Sequence, residues 1–127
     1  MSYEVRVVRT KRGLEATTKP ITKADVDELI ANDPELAWST ESFVDMQDSP
    51  TTVNRYYMIE WKGDACFWWF RGRIRCSSPH RAQLLKLAQI ARTLGAHAVG
   101  DEGEHYEVQK NLSGGEELAV IRPKEAV

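Results

Sequence analysis

The segment 61–106 constrains the fold most, because it changes from strand periodicity to helix periodicity and back within one stretch of chain. Aromatic residues are concentrated before Cys76, and they suit the pleated, half-buried surface of a strand. Apolar residues then recur at every third or fourth position up to Leu94, which is the spacing of one buried helix face. A helix bordered by strands in this way predicts an α+β domain with the helix lying across a sheet.

Two helices are predicted from their end signals. Thr22 is a good N-cap for the first helix, which should end before the Asn-Asp-Pro run at 32–34 because proline disfavours helical geometry in the residue preceding it. For the second helix we expect Ser78 as the N-cap and Pro79 at the first helical position. Gly95 should lie just past its end.

The strands are predicted from alternation and from turn residues between them. Tyr3, Val5 and Val7 alternate with less apolar neighbours, which indicates a first strand over residues 3–9. Further extended segments are expected at 36–46, 53–61, 66–70, 73–76, 96–99 and 106–108. We predict an α+β fold with an antiparallel sheet of four to five strands and two helices packed mainly on one face. The chain after about residue 111 is expected to be either a peripheral strand or a loose tail.

Composition places the chain among ordinary globular domains. Its 127 residues, 42% apolar and 28% charged, predict one domain with one core. A net charge of −2 disfavours nonspecific binding of nucleic acid, which depends on a cationic surface. No run approaches the roughly 20 apolar residues of a membrane span, and the N-terminus has no secretory pattern, so a cytoplasmic protein without a membrane partner is expected.

Cys66 and Cys76 are too few for a disulfide framework and lack the paired spacing of a zinc site. A two-residue hairpin loop at 71–72 would place them on opposite faces of the ribbon, whereas a three-residue loop would reverse that parity. We therefore expect reduced, structural cysteines. The alternative is a thiol or acid/base enzyme in which His80 or His97 activates one of them.

Catalytic motifs are otherwise missing from the sequence. It contains no phosphate loop, nucleophile elbow or dinucleotide fingerprint, so no catalytic residue, metal site or cofactor is predicted. The working expectation is that the protein is not an enzyme.

Three groups of residues are candidates for contact with a partner. Trp61 and Trp69 belong to an aromatic cluster that could supply anchors. An arginine row spaced by two positions could bind carboxylates or phosphates in fork geometry, or it could be the solvated face of an edge strand. An acidic turn could attract a basic partner, or it could simply be solvated. The predicted partner-binding residues are Trp61, Trp69, Arg71, Arg73, Arg75, Asp101, Glu102 and Glu104.

The second half of the chain carries a family resemblance. Trp68-Trp69 stands before a glycine turn, the next helix starts at Ser-Pro, and the segment 91–106 reads ARTLGAHAVGDEGEHY. This pattern resembles a group of small bacterial proteins, and proteins of this size and type are similar to the single-domain immunity proteins that neutralise toxins in bacterial competition. The resemblance implies a non-catalytic role in protein binding, with a toxin domain as the partner. The alternative from a different class is a small-molecule or nucleotide-binding domain that uses the aromatic and arginine-rich strands.

Overall fold

The computed structural model describes residues 3–9 and 20–122 of the chain. Over these residues the chain forms eight strands and two helices. In chain order they are β1 (Glu4–Val8), α1 (Lys23–Asn32), β2 (Leu36–Ser49), β3 (Thr52–Trp61), β4 (Asp64–Phe70), β5 (Arg73–Ser77), α2 (Arg81–Leu94), β6 (His97–Gly100), β7 (His105–Lys110) and β8 (Glu116–Ile121). None of the helices within these ranges is long and apolar enough to cross a membrane.

All eight strands belong to one sheet, with the order β2-β3-β4-β5-β1-β6-β7-β8 and antiparallel pairing throughout. The prediction of four to five strands is therefore wrong. The reason is that β1 pairs on both sides, with β5 and with β6, and so merges two separate meanders into one wide sheet. The chain after residue 111 also contributes a paired strand, β8.

Thr22 is the N-cap of α1, as the sequence predicts. The Thr22 hydroxyl accepts a hydrogen bond from the backbone N–H of Asp25, and the Asp25 carboxylate accepts one from the Thr22 N–H, so both halves of a capping box are present. The helix includes Asn32 and so ends one residue later than predicted, still before Pro34.

The start of α2 differs from the prediction. Its N-cap is His80, whose Nδ1 accepts a hydrogen bond from the Gln83 N–H at 3.3 Å, while Gln83 Oε1 accepts from the His80 N–H at 3.1 Å. Ser78 has a positive φ of 46° and belongs to the turn that leaves β5, so the helix cannot begin there. Gly95 ends the helix in the left-handed conformation, as predicted.

Both helices pack on the same face of the sheet, where they enclose the core. Val5 and Val7 of β1 point to this side, and α2 lies over them. The indole N–H of Trp69 donates to the Ile21 carbonyl at 2.7 Å and ties β4 to the start of α1. The largest fully buried side chains are Phe67, Ile21, Ile59, Ile74, Leu87 and Ile90.

A cluster of charges joins α2 to the turn between α1 and β2. Lys86, with only 6% of its side chain exposed, donates from Nζ to Asp33 at 2.7 Å and to Glu35 at 2.9 Å. The hydrogen bond from Lys86, followed by one from Trp61, lowers the pKa of Glu35 from 4.5 to about 2. Two carboxylates thus compensate one buried ammonium group, which would be costly to bury alone.

The Glu35 carboxylate should contribute to acid sensitivity. Because its pKa is lower in the folded protein, its stabilisation is present above the unfolded value and is lost as the pH falls from about 5 towards about 2. We expect Glu35→Gln to reduce the fall in the urea midpoint of unfolding over this interval. Glu60→Gln, which lies outside the cluster, is the control and should keep the wild-type fall; an equal fall in all three proteins would contradict the assignment.

Candidate binding surface

The sheet face opposite the helices carries a group of arginines beside aromatic rings. Directly opposed residues on neighbouring strands share a face, so their side chains become neighbours. Trp68 lies opposite Arg75, and Arg75 lies opposite Arg6. In the adjacent row, Phe70 lies opposite Arg73. We call the set of Arg6, Trp68, Phe70, Arg73 and Arg75 the arginine face.

Two guanidinium groups of the arginine face, those of Arg6 and Arg75, share two carboxylates. Arg6 donates to Asp101 at 2.6 Å and to Glu4 at 3.4 Å, and Arg75 Nε lies 3.7 Å from the same Glu4 oxygen. The side chains of Arg6 and Arg75 are 27% and 23% exposed. The cluster therefore keeps an excess of positive charge in a half-buried setting.

The neighbouring positive charges affect the pKa of Arg73. Burial, followed by repulsion from Arg75 and Arg6, lowers the pKa of its guanidinium, while Glu4 acts in the opposite direction. An anionic group bound at this surface would offset both the burial of the Arg73 guanidinium and its repulsion from the other two arginines. The geometry thus favours a carboxylate or phosphate as the contacting group, with arginine forks as donors.

The aromatic part of the surface consists of Trp68 and Phe70. Both are half-buried, and Phe70 packs against Tyr56 with the ring centroids 4.2 Å apart. Arg71, in the hairpin turn, places its guanidinium 5.0 Å from the Phe70 ring. These rings border the arginines and give the surface an apolar component.

The two tryptophans proposed as anchors lie on the other face of the sheet. Trp69 is bonded to the Ile21 carbonyl, and Trp61 stacks on Phe67 and donates to Glu35 at 3.3 Å. Both support the helix layer instead of the arginine face. The sequence signal that could have identified Trp68 is the length of the loop at 71–72. A two-residue loop places Trp68 on the same face of the sheet as Arg73 and Arg75, because strand side chains alternate between faces.

The acidic turn is largely used inside the protein. Asp101 accepts hydrogen bonds from the Glu4 backbone N–H and from Arg6, so it holds β1 to the end of β6. Glu104 is only 2% exposed and is hydrogen bonded to the Tyr3 hydroxyl and to the Glu102 N–H. Glu102 is the most exposed of the three acids, and Arg122 contacts it at 3.3 Å. The turn therefore mainly stabilises the fold, and it contacts the arginine face through Asp101.

The thiols are not activated. Cys66 and Cys76 are both free, and burial raises their pKa values to about 11 and about 12. They are protonated at neutral pH, whereas the thiolate is the nucleophilic form. His80 is engaged as the helix N-cap. Among the described residues no group of three His, Cys, Asp or Glu side chains could hold a metal ion.

The described residues line cavities along the helices, among them four with volumes of about 190 to 400 Å³. One lies beneath the end of α2 beside β6 and β7, and another lies between α2 and β8. Their linings do not include residues of the arginine face.

Comparison with protein-family profiles, curated proteins and solved structures gave no significant match.

Gly100 should be essential for the buried Glu104. A Cβ at position 100 would overlap the Glu104 carboxylate and the Tyr3 hydroxyl, although the backbone there has no positive φ. We expect Gly100→Ala to lower the free energy of unfolding by roughly 1–3 kcal/mol, as overpacking does. Urea unfolding would measure this. Gly115→Ala is the matched control, because its Cβ would lie 3.3 Å or more from the Asn111 side chain and overlap nothing; equal effects at the two sites would contradict the overlap.

Proposed function

We propose that this protein is a non-catalytic binding domain that recognises another protein through the arginine face. The observation that carries the proposal is the row of Arg6, Arg75 and Trp68 on the side of the sheet opposite the two helices. Tryptophan and arginine are the residue types that contribute most to protein interfaces. A sheet surface of this kind suits a protein partner better than a small ligand, which requires a concave pocket.

The charge of the surface indicates the chemistry of the partner. Arg73 and Arg75 are crowded by like charge, and Glu4 is shared between Arg6 and Arg75. An acidic loop on the partner would supply further carboxylates to these guanidinium groups. Because the guanidinium groups are half-buried before binding, little further desolvation would oppose such contacts.

Within this class we propose an immunity protein that neutralises a bacterial toxin. The supporting feature is the resemblance carried by the segment 91–106. Its Gly-Asp-acid-Gly-Glu turn fastens β1, since Asp101 bonds the Glu4 N–H and the Arg6 side chain. On this proposal the resembling segment holds Arg6 in place at the border of the binding face, and the arginines themselves contact the toxin.

The proposal is tested with the products of the neighbouring genes. We expect the purified protein to form a stable complex with an adjacent toxin, measured by co-elution and calorimetry. Arg73→Gln with Arg75→Gln should weaken the complex by at least about tenfold, because interface arginines are frequent hot spots. Arg55→Gln is the control, since Arg55 lies on β3 in an exposed ion pair with Asp45 and should leave the affinity unchanged.

The outcomes separate the alternatives. Failure to bind any adjacent product would contradict the immunity role, provided that circular dichroism shows a folded protein. Binding that survives loss of both arginines would reject the arginine face as the contact surface. A rise in melting temperature with nucleotides, with no protein complex, would instead support the small-ligand alternative.

A further inference from the structure

The two edges of the sheet differ in regularity. At one edge, β2 pairs with β3 through register shifts between Trp38 and Phe43 and between Gln47 and Ser49. At the other edge, β8 pairs with β7 in unbroken register over all six of its residues. Bulges and irregularities discourage the addition of another strand, whereas a regular edge is a template for it.

The side chains at the β8 edge leave apolar surface uncovered. Val120 is 43% exposed and Ile121 is 46% exposed. A groove of about 400 Å³ continues from this edge onto α2, where Leu85 and Ala82 face Leu118. Exposed apolar side chains beside a regular strand edge form a surface suited to a partner strand and its helix layer.

We propose that β8 pairs with β8 of a second copy of this chain, in an antiparallel arrangement centred on Ala119. This register places Glu116 of each copy opposite Arg122 of the other, and Leu118 opposite Val120. Opposite charges therefore meet at both ends of the shared ladder, in addition to the contacts that Glu116 makes with Arg92 at 2.7 Å and Arg122 makes with Glu102 at 3.3 Å within each chain. Between these ends Leu118 meets Val120, whereas Glu117 lies opposite Ile121 on the other face of the sheet. A shift of two residues in either direction removes the pairing of Glu116 with Arg122.

The symmetry of the pairing also brings the grooves together. Two antiparallel copies of one strand in a continuous sheet are related by a twofold axis perpendicular to the sheet, so both helix layers lie on the same side. Each α2 then approaches the other copy beside the junction, where Leu85 and Val120 lose exposure to water. The arginine faces remain uncovered on the opposite side, so the dimer does not depend on the proposed function.

Sedimentation velocity of the purified protein tests the assembly. We expect a wild-type dimer and a monomer for Val120→Lys, which sets an ammonium group against Leu118 of the other copy. Val53→Lys is the matched control, because Val53 is 64% exposed on β3, away from β8, and this variant should remain a dimer. A monomeric wild-type protein, or equal dissociation of both variants, would overturn the proposal.

Cross-linking tests the register independently of stability. Residue 119 faces its own equivalent, at a Cα separation of roughly 4.5–5.5 Å, within the range of a disulfide. We expect Ala119→Cys to form a covalent dimer on mild oxidation. In this register residue 117 lies about four residues along the strand from its equivalent, roughly 13 Å, so Glu117→Cys should not cross-link. The wild-type chain, with Cys66 and Cys76 alone, serves as a further control; cross-linking through 117 but not 119 would reject the register.

Discussion

The two-sided pairing of β1 is the constraint on which the rest of the structure depends. β1 pairs with β5 through Arg6 and Arg75 and with β6 through Arg6 and Val99, so it holds the two meanders together. Val5 and Val7 are fully buried beneath the helices, and the alternation of a strand then directs Arg6 to the other side. The arginine face is thus a direct consequence of how the core is closed.

The same constraint explains how like charges come to lie together. Arg6 and Arg75 are brought side by side by backbone pairing over the whole of β1 and β5, which outweighs the repulsion between two guanidinium groups. Glu4 and Asp101 reduce that repulsion without removing it. A surface held in this way is pre-organised, so a partner carboxylate would meet donors that need little rearrangement.

Most local features of the fold could be predicted from the sequence, with the His80 start of α2 as an exception, and non-local ones could not. The Thr22 capping box and the Gly95 helix end each depend on neighbouring residues, and each is present. The loop at 71–72, for which the sequence left two lengths open, has two residues. The position of β1 between β5 and β6 depends on pairings between residues 67 to 95 positions apart in the sequence, which no local pattern encodes. Glu104 shows the same limit for a single residue, because its buried carboxylate accepts a hydrogen bond from Tyr3, 101 residues away in the sequence.

The composition of the binding face depends in the end on the length of one turn. Arg71 and Gly72 both have positive φ values, 48° and 79°, which is the backbone that a two-residue hairpin requires. This loop pairs Phe70 with Arg73 and so assigns Trp68 to the arginines and Trp69 to the core. One additional loop residue would exchange the two indoles relative to the arginine row, since strand side chains alternate with a period of two. The tight turn therefore selects which tryptophan is available to a partner and which one secures α1 through the Ile21 carbonyl.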